Sequence, residues 1–99
     1  MLIDDCRHFR MTAWSVYIVR CADDTLYTGI AKDVARRVEE HNSNGVLAAS
    51  YTRARRPVVL VYQEAVASRS DALKREYQIK QMSRKAKERL LGWEAGADN

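Results

Sequence analysis

The chain has little of several things: two cysteines, one proline, one phenylalanine and four glycines in 99 residues. Cys6 and Cys21 are too few to staple a disulfide scaffold and lack the spacing of a metal-ligand pair. Reduced thiols in a cytoplasmic protein are the expectation. Neither has a base near it in sequence that would make it a nucleophile. No apolar run approaches the length of a membrane span, so no membrane partner is expected. The N-terminus, MLIDDCRHFRMTA, has acids where a secretory signal needs cations. Residues 1–13 also lack a clear period, and are expected to form a flexible extension. Met11, just before the first good strand, is a candidate start. With 46% apolar residues the chain can bury one modest core and leaves no room for a separate targeting domain. The expected division is an extension at 1–13, one domain at 14–92 and a tail at 93–99.

Charge is distributed unevenly. The net charge is +4, but residues 1–50 carry 6 Lys/Arg against 7 Asp/Glu, and residues 51–92 carry 11 against 4. Clustered cations interact with polyanions by displacing condensed counterions, so nucleic acid or an acidic membrane surface would suit this half. A solvated helix face is the plainer explanation of such a run.

Residues 14–20, WSVYIVR, and 25–30, TLYTGI, are rich in β-branched and aromatic side chains and flank the turn-forming Ala22-Asp23-Asp24. They read as a hairpin. With a three-residue loop, Tyr17 lies opposite Gly29 and Val19 opposite Tyr27, so the two tyrosines share a face; a slip of one residue would separate them. Asp33 caps a helix to about Asn42 with Val34 and Val38 as anchors, and Asn42-Ser43-Asn44-Gly45 ends it. A loop at 43–56 precedes Pro57 and a third strand at 58–62. Ser68 and Asp71 form a capping box for a helix through about Met82. Ser83 caps a last helix that turns Ala86, Leu90 and Leu91 inward, closed by Trp93. The order β-β-α-β-α-α describes an α+β fold.

Three groups could carry chemistry. Arg37 and His41 lie one turn apart beside the Val34/Val38 stripe, with Arg36, Glu39 and Glu40 pointing away. A guanidinium there could clamp a phosphate and the imidazole could bond the same group or a water. Alternatively, Arg37 covers the core edge and His41 is a cation at the helix C-terminus. Glu76 falls among Ala72, Leu73 and Ile79 on the face expected to be buried. A carboxylate there must be paired, protonated or bound to a cation, and one carboxylate plus waters often holds Mg²⁺. Its alternative is an ordinary Glu76–Lys80 helix pair. Tyr17 and Tyr27 are otherwise core aromatics, and Gly29 a bulge or a close backbone approach. A phenol with a pKa of ~10 needs a metal or nearby cations to serve as a base. Taken one by one, these residues favour structural roles.

In combination they resemble the GIY-YIG nuclease superfamily. Ser15-Val16-Tyr17 and Tyr27-Thr28-Gly29 stand where its two strand motifs would be, with Arg37, His41 and Glu76 matching its arginine, histidine and metal-binding glutamate. Similarity to the short stand-alone bacterial YhbQ-like group runs through CADDTLYTGI, ARRVEEHN, SYTRARRP and LKREYQIKQMSRKAKERLL. It covers about residues 14–92. The resemblance implies a small, mainly antiparallel three-stranded sheet flanked by helices, with the five residues converging on one face. It implies a metal-dependent endonuclease that hydrolyses the phosphodiester bonds of DNA or RNA, in DNA repair by analogy with the nuclease half of the bacterial excision-repair excinuclease. Glu76 would hold one Mg²⁺ or Mn²⁺, Tyr17 would act as general base, Tyr27 would place water or phosphate, and Arg37 would stabilise phosphoryl charge with His41 supporting it. Gly29, Tyr51, Arg53, Arg55, Arg56, Lys80, Arg84, Lys85 and Lys87 are the candidate nucleic-acid contacts. The asparagine that some members carry after the glutamate is missing between Glu76 and Asn99. So is the separate DNA-binding domain that many members carry, so target choice is expected to come from nucleic-acid shape, from the loop 43–56 and the basic helices, or from another protein, and cleavage should be structure-selective or weakly selective. A catalytically silent nucleic-acid-binding module of the same fold is the rival, binding through residues such as Arg53 and Lys85 and indifferent to Glu76.

Overall fold

The computed structural model describes residues 13–43 and 50–92. The expectations for the extension, the Met11 start, Cys6, Asn44-Gly45, Trp93 and the tail fall outside these residues.

The hairpin forms as its alternation requires. Strand β1 (Trp14–Arg20) pairs antiparallel with β2 (Leu26–Ala31), Tyr17 opposite Gly29 and Val19 opposite Tyr27. Between them Asp24 takes a left-handed φ of 70°, and Asp23 Oδ1 accepts from Thr25 N at 3.2 Å and Thr25 Oγ1 at 2.6 Å. Asp and Asn tolerate this conformation because a short polar side chain can bond the local backbone. Strand β3 (Val59–Val66) pairs antiparallel along the other side of β1, giving the order β2-β1-β3. It runs past the expected end at 62. Gln63 and Glu64 break the apolar run, but backbone pairing to Tyr17 and Val16 continues across them.

Helix α1 (Val34–Asn42) starts at Asp33, whose carboxylate accepts from Arg36 N at 3.1 Å. Helix α3 (Arg69–Lys80) starts at Ser68, with Oγ accepting from Asp71 N at 3.1 Å, and helix α4 (Arg84–Leu91) starts at Ser83, with Oγ accepting from Ala86 N at 3.1 Å. Gly92, at a φ of 83°, ends α4. The segment expected to be a loop also holds a short helix, α2 (Ser50–Arg53). Four residues are too few for a hydrophobic period to be visible.

Alternation along β1 divides the core into two layers. Tyr17, Val19 and Cys21 pack with Val34 and Val58, joined by Tyr27, Ala31 and Val38. Val16 and Ile18 pack with Ala72 and Ile79, joined by Leu90 and Leu91. Helix α1 therefore covers the tyrosine face, and α3 and α4 the opposite one. Leu73, expected inward on α3, is 40% exposed. The inward stripe is set by Ala72 and Ile79, and at 100° per residue Leu73 is carried off it. Helix α3 is tied to β3 by Arg75 Nε to Glu64 Oε2 at 3.0 Å, and α4 to the hairpin by Arg84 donating to Asp24 O at 2.8 Å. Among the described residues no helix is long and apolar enough to cross a membrane.

Candidate active site

Tyr17 stands in the middle strand and is 1% exposed. Its Oη lies 2.7 Å from His41 Nε2, and His41 Nδ1 lies 2.8 Å from Thr52 Oγ1. Three elements, β1, α1 and α2, thus meet in one chain of polar contacts whose His41 and Thr52 links are both fully buried. Buried polar groups are costly unless bonded, and each of these bonds the next. Gly29 makes the arrangement possible from the paired strand. A Cβ at that position would sit 2.6 Å from Tyr17 Oη and 2.7 Å from its Cζ. Gly29 was expected to contact nucleic acid; it is buried against the tyrosine ring instead.

Arg37, one turn before His41, lies close enough to Tyr17 to act on its hydroxyl electrostatically and pairs with Glu40 Oε1 at 2.8 Å. Glu40, expected to point away, turns back to this pair and is only partly exposed. Burial raises the Tyr17 pKa to about 12, with Tyr27 adding to the rise and Arg37 opposing it. The phenol is therefore a weaker acid than its sequence suggests. Burial also lowers the His41 pKa, assisted by Arg37 and opposed by Glu40. His41 is thus a neutral hydrogen-bonding ring, not the helix-terminal cation that its position allows.

That depression has a measurable sign. As pH falls, the unfolded chain takes up the proton first, so the stability gained by burying neutral imidazole is complete above 6.5 and is lost as pH falls from there through the folded value. The urea midpoint should drop between about pH 7.5 and pH 5, and the drop should be shallower in His41→Gln. Equal slopes would contradict the assignment.

Tyr27 is half-buried, meets His41 edge-on at 5.3 Å between centroids, and stacks on Tyr51 at 5.6 Å. Arg55 lies over the Tyr51 ring at 4.0 Å, donates to Tyr51 O and pairs with Asp23 at 3.0 Å. Arg56 donates to Ser43 O, and Arg84 pairs with Glu88 at 2.9 Å besides holding Asp24. Several cations expected on a nucleic-acid surface thus have internal work. Arg53 and Lys85 are exposed, and Lys87 is half-buried.

Glu76 stands on α3, whose Ala72 and Ile79 pack in the other core layer from Tyr17. It remains close enough to raise the Tyr17 pKa electrostatically. Its side chain is 19% exposed and bonds Lys80 at 3.2 Å, the helix pair foreseen as its alternative. No cluster of three His, Cys, Asp or Glu side chains occurs among the described residues. One carboxylate oxygen donor fits a hard divalent ion that takes its remaining ligands from water and phosphate.

Two residues were missed by sequence reasoning. Thr52 and Asn42, whose side-chain amide brackets Val58 through N at 2.7 Å and O at 3.0 Å, carry no signal in spacing. Their partners are 11 and 16 residues away and only the fold brings them near.

The chain is similar to known proteins. Residues 13–89 match the model of the GIY-YIG catalytic domain. A UPF0213 protein of Desulfotalea psychrophila is 60% identical over 79 residues, 80% of this chain and 71% of the relative. A UPF0213 protein of Staphylococcus aureus is 56% identical over 81 residues, 82% of this chain and 96% of the relative. The solution NMR structure of a UPF0213 protein from Bacillus halodurans superposes with a TM-score of 0.52 at 41% identity, over 81% of this chain and 83% of that one.

Proposed function

Since the chain belongs to the GIY-YIG family, we propose that it is a nuclease, hydrolysing phosphodiester bonds in DNA, and in RNA as a second substrate class, with one divalent ion. What carries the reading is the Tyr17–His41 contact at 2.7 Å with Arg37 beside it, in register with Tyr27 and Gly29. Hydrolysis needs an activated water, neutralised phosphoryl charge and a stabilised leaving oxygen. A bound Mg²⁺ or Mn²⁺ would supply charge neutralisation, with Glu76 as its protein ligand. Arg37, always protonated, offers phosphoryl oxygens a guanidinium from a part-buried position. Tyr27, the half-buried phenol, positions water or phosphate. Tyr17 accepts the proton from water as its own passes to neutral His41 Nε2, so the phenol never has to ionise against its raised pKa. Recognition of nucleic-acid shape and charge makes cleavage structure-selective or weakly selective.

One observation favours the silent binding module: Tyr17 and His41 are 1% and 0% exposed, so water reaches the pair only when the site opens. Catalytic contacts commonly tighten or form only with substrate bound. The separating experiment is cleavage of labelled single strands, duplexes, flaps, junctions and RNA with Mg²⁺ or Mn²⁺, beside direct Mn²⁺ binding. Arg37→Ala should lower cleavage by about 10²–10³-fold. Glu76→Ala should lose both Mn²⁺ binding and cleavage while remaining folded. Nucleic-acid binding without cutting, with Mn²⁺ affinity unchanged in Glu76→Ala, would establish the silent module.

A further inference from the structure

We propose that Thr52 is a positioning residue that holds His41 in the tautomer carrying its proton on Nδ1, so that the Nε2 lone pair faces the Tyr17 hydroxyl. This deepens the nuclease reading and rests on it for its catalytic meaning.

Two tautomers fit the two distances. Either Nδ1–H donates to Thr52 Oγ1 and Nε2 accepts from Tyr17, or Thr52 donates to Nδ1 and Nε2–H donates to Tyr17. The Arg37 guanidinium chooses between them. Arginine has donors only, so a guanidinium near enough to favour negative charge on the Tyr17 oxygen draws the Oη lone pairs toward itself. In the second arrangement Nε2–H would occupy the front of Oη, and the hydroxyl's own hydrogen, on a side chain 1% exposed, would have to turn away from His41 with the cationic Arg37 beside it. In the first, Tyr17 donates to Nε2, Nδ1 donates to Thr52, and the Oη lone pairs are left toward Arg37. The hydrogen bond made by one ring nitrogen fixes which nitrogen is protonated, and Thr52 supplies that bond. Only the first tautomer can receive the Tyr17 proton.

The groups around His41 come from every packed element: Arg37 and Glu40 from α1, Tyr17 from β1, Tyr27 from β2 and Thr52 from α2. Among the described residues, Thr52 is the hydrogen-bond partner that meets Nδ1. Thr52 is 0% exposed in a helix of only four residues, so its hydroxyl reaches His41 from a fixed place.

The test reads the ring directly by long-range ¹H–¹⁵N correlation on ¹⁵N-histidine protein, with His8→Gln removing the other of the two histidines. Wild type should show protonated Nδ1 and bare Nε2 without substrate or metal. Thr52→Val, nearly isosteric, should shift the ring toward protonated Nε2, and Thr52→Ser should restore it. On a cleaved substrate, Thr52→Val should lower kcat by about 10–100-fold with KM unchanged, the size usual for groups orienting an active residue. Protonated Nε2 in wild type would overturn the proposal even if the valine variant failed to fold. So would a folded valine variant with the wild-type tautomer. If the tautomer depends on Thr52 but no substrate is cut, the positioning stands and the nuclease reading fails.

Discussion

Tyr17→Phe should fold and lose cleavage by about 10²–10⁴-fold, the range of a positioned proton acceptor. The ring stays, so packing against Val34 and Val58 is kept. What disappears is the hydroxyl between Arg37 and His41 Nε2. Leaving the imidazole without that donor should cost about 1–3 kcal/mol in urea unfolding, so activity must be measured where the variant is fully folded. An alkaline signature accompanies it. The folded pKa of about 12 stands above the ordinary 10.0, so the unfolded chain releases its proton first as pH rises. The stabilising contribution is complete below 10.0, falls as pH climbs through the folded value, and should be missing from the phenylalanine variant. Cleavage by Tyr17→Phe equal to wild type would remove Tyr17 from the chemistry and leave it a core residue.

Gly29→Ala should be as damaging, for a reason unrelated to backbone freedom. Gly29 is not at a positive φ; its requirement is space. The added methyl would meet Oη at 2.6 Å, Cζ at 2.7 Å and Cε2 at 3.1 Å, so the end of the ring must move as a body. It cannot move without breaking the contact with His41. Overpacking of this sort costs about 1–3 kcal/mol, and cleavage should fall further than stability because the displaced hydroxyl is the reacting one. Paired with Tyr17→Leu, which withdraws those ring atoms, Gly29→Ala should regain stability but not activity. A double-mutant cycle in denaturant reads this as a coupling between the sites. Additive losses would show that the ring is not what the methyl meets.

Local signals in the sequence were sufficient for much of the fold. Asp33, Ser68 and Ser83 cap the helices that follow them because a short side-chain oxygen before an apolar period has one good use. The turn at Asp23-Asp24 fixed the strand register, and with it the shared face of Tyr17 and Tyr27. The length of β3 was not legible, since an edge strand paired to β1 carries Gln63 and Glu64 without needing alternation. Nor was α2, whose four residues are held by what they touch. In the site, Arg37 and His41 were placed by helix periodicity. The burial of His41, the neutral state that follows and its link to Thr52 depend on contacts across 24 and 11 residues, which no local pattern encodes. Periodicity put Glu76 on the inward side of its helix but could not say which face of the sheet that helix covers.

The site is assembled from two unlike parts. Tyr17 is fastened into β1, the strand with neighbours on both sides, where Val16, Ile18 and Val19 are 0% exposed. Tyr51 and Thr52 belong to a four-residue helix outside the sheet. Chemistry is thereby anchored where the chain can least vary, and the approach to it is built where the chain can. Exposed Tyr51 can be exchanged to suit new targets while its buried neighbour Thr52 and the sheet-held Tyr17 keep the reaction in place, so a change of specificity need not endanger the fold.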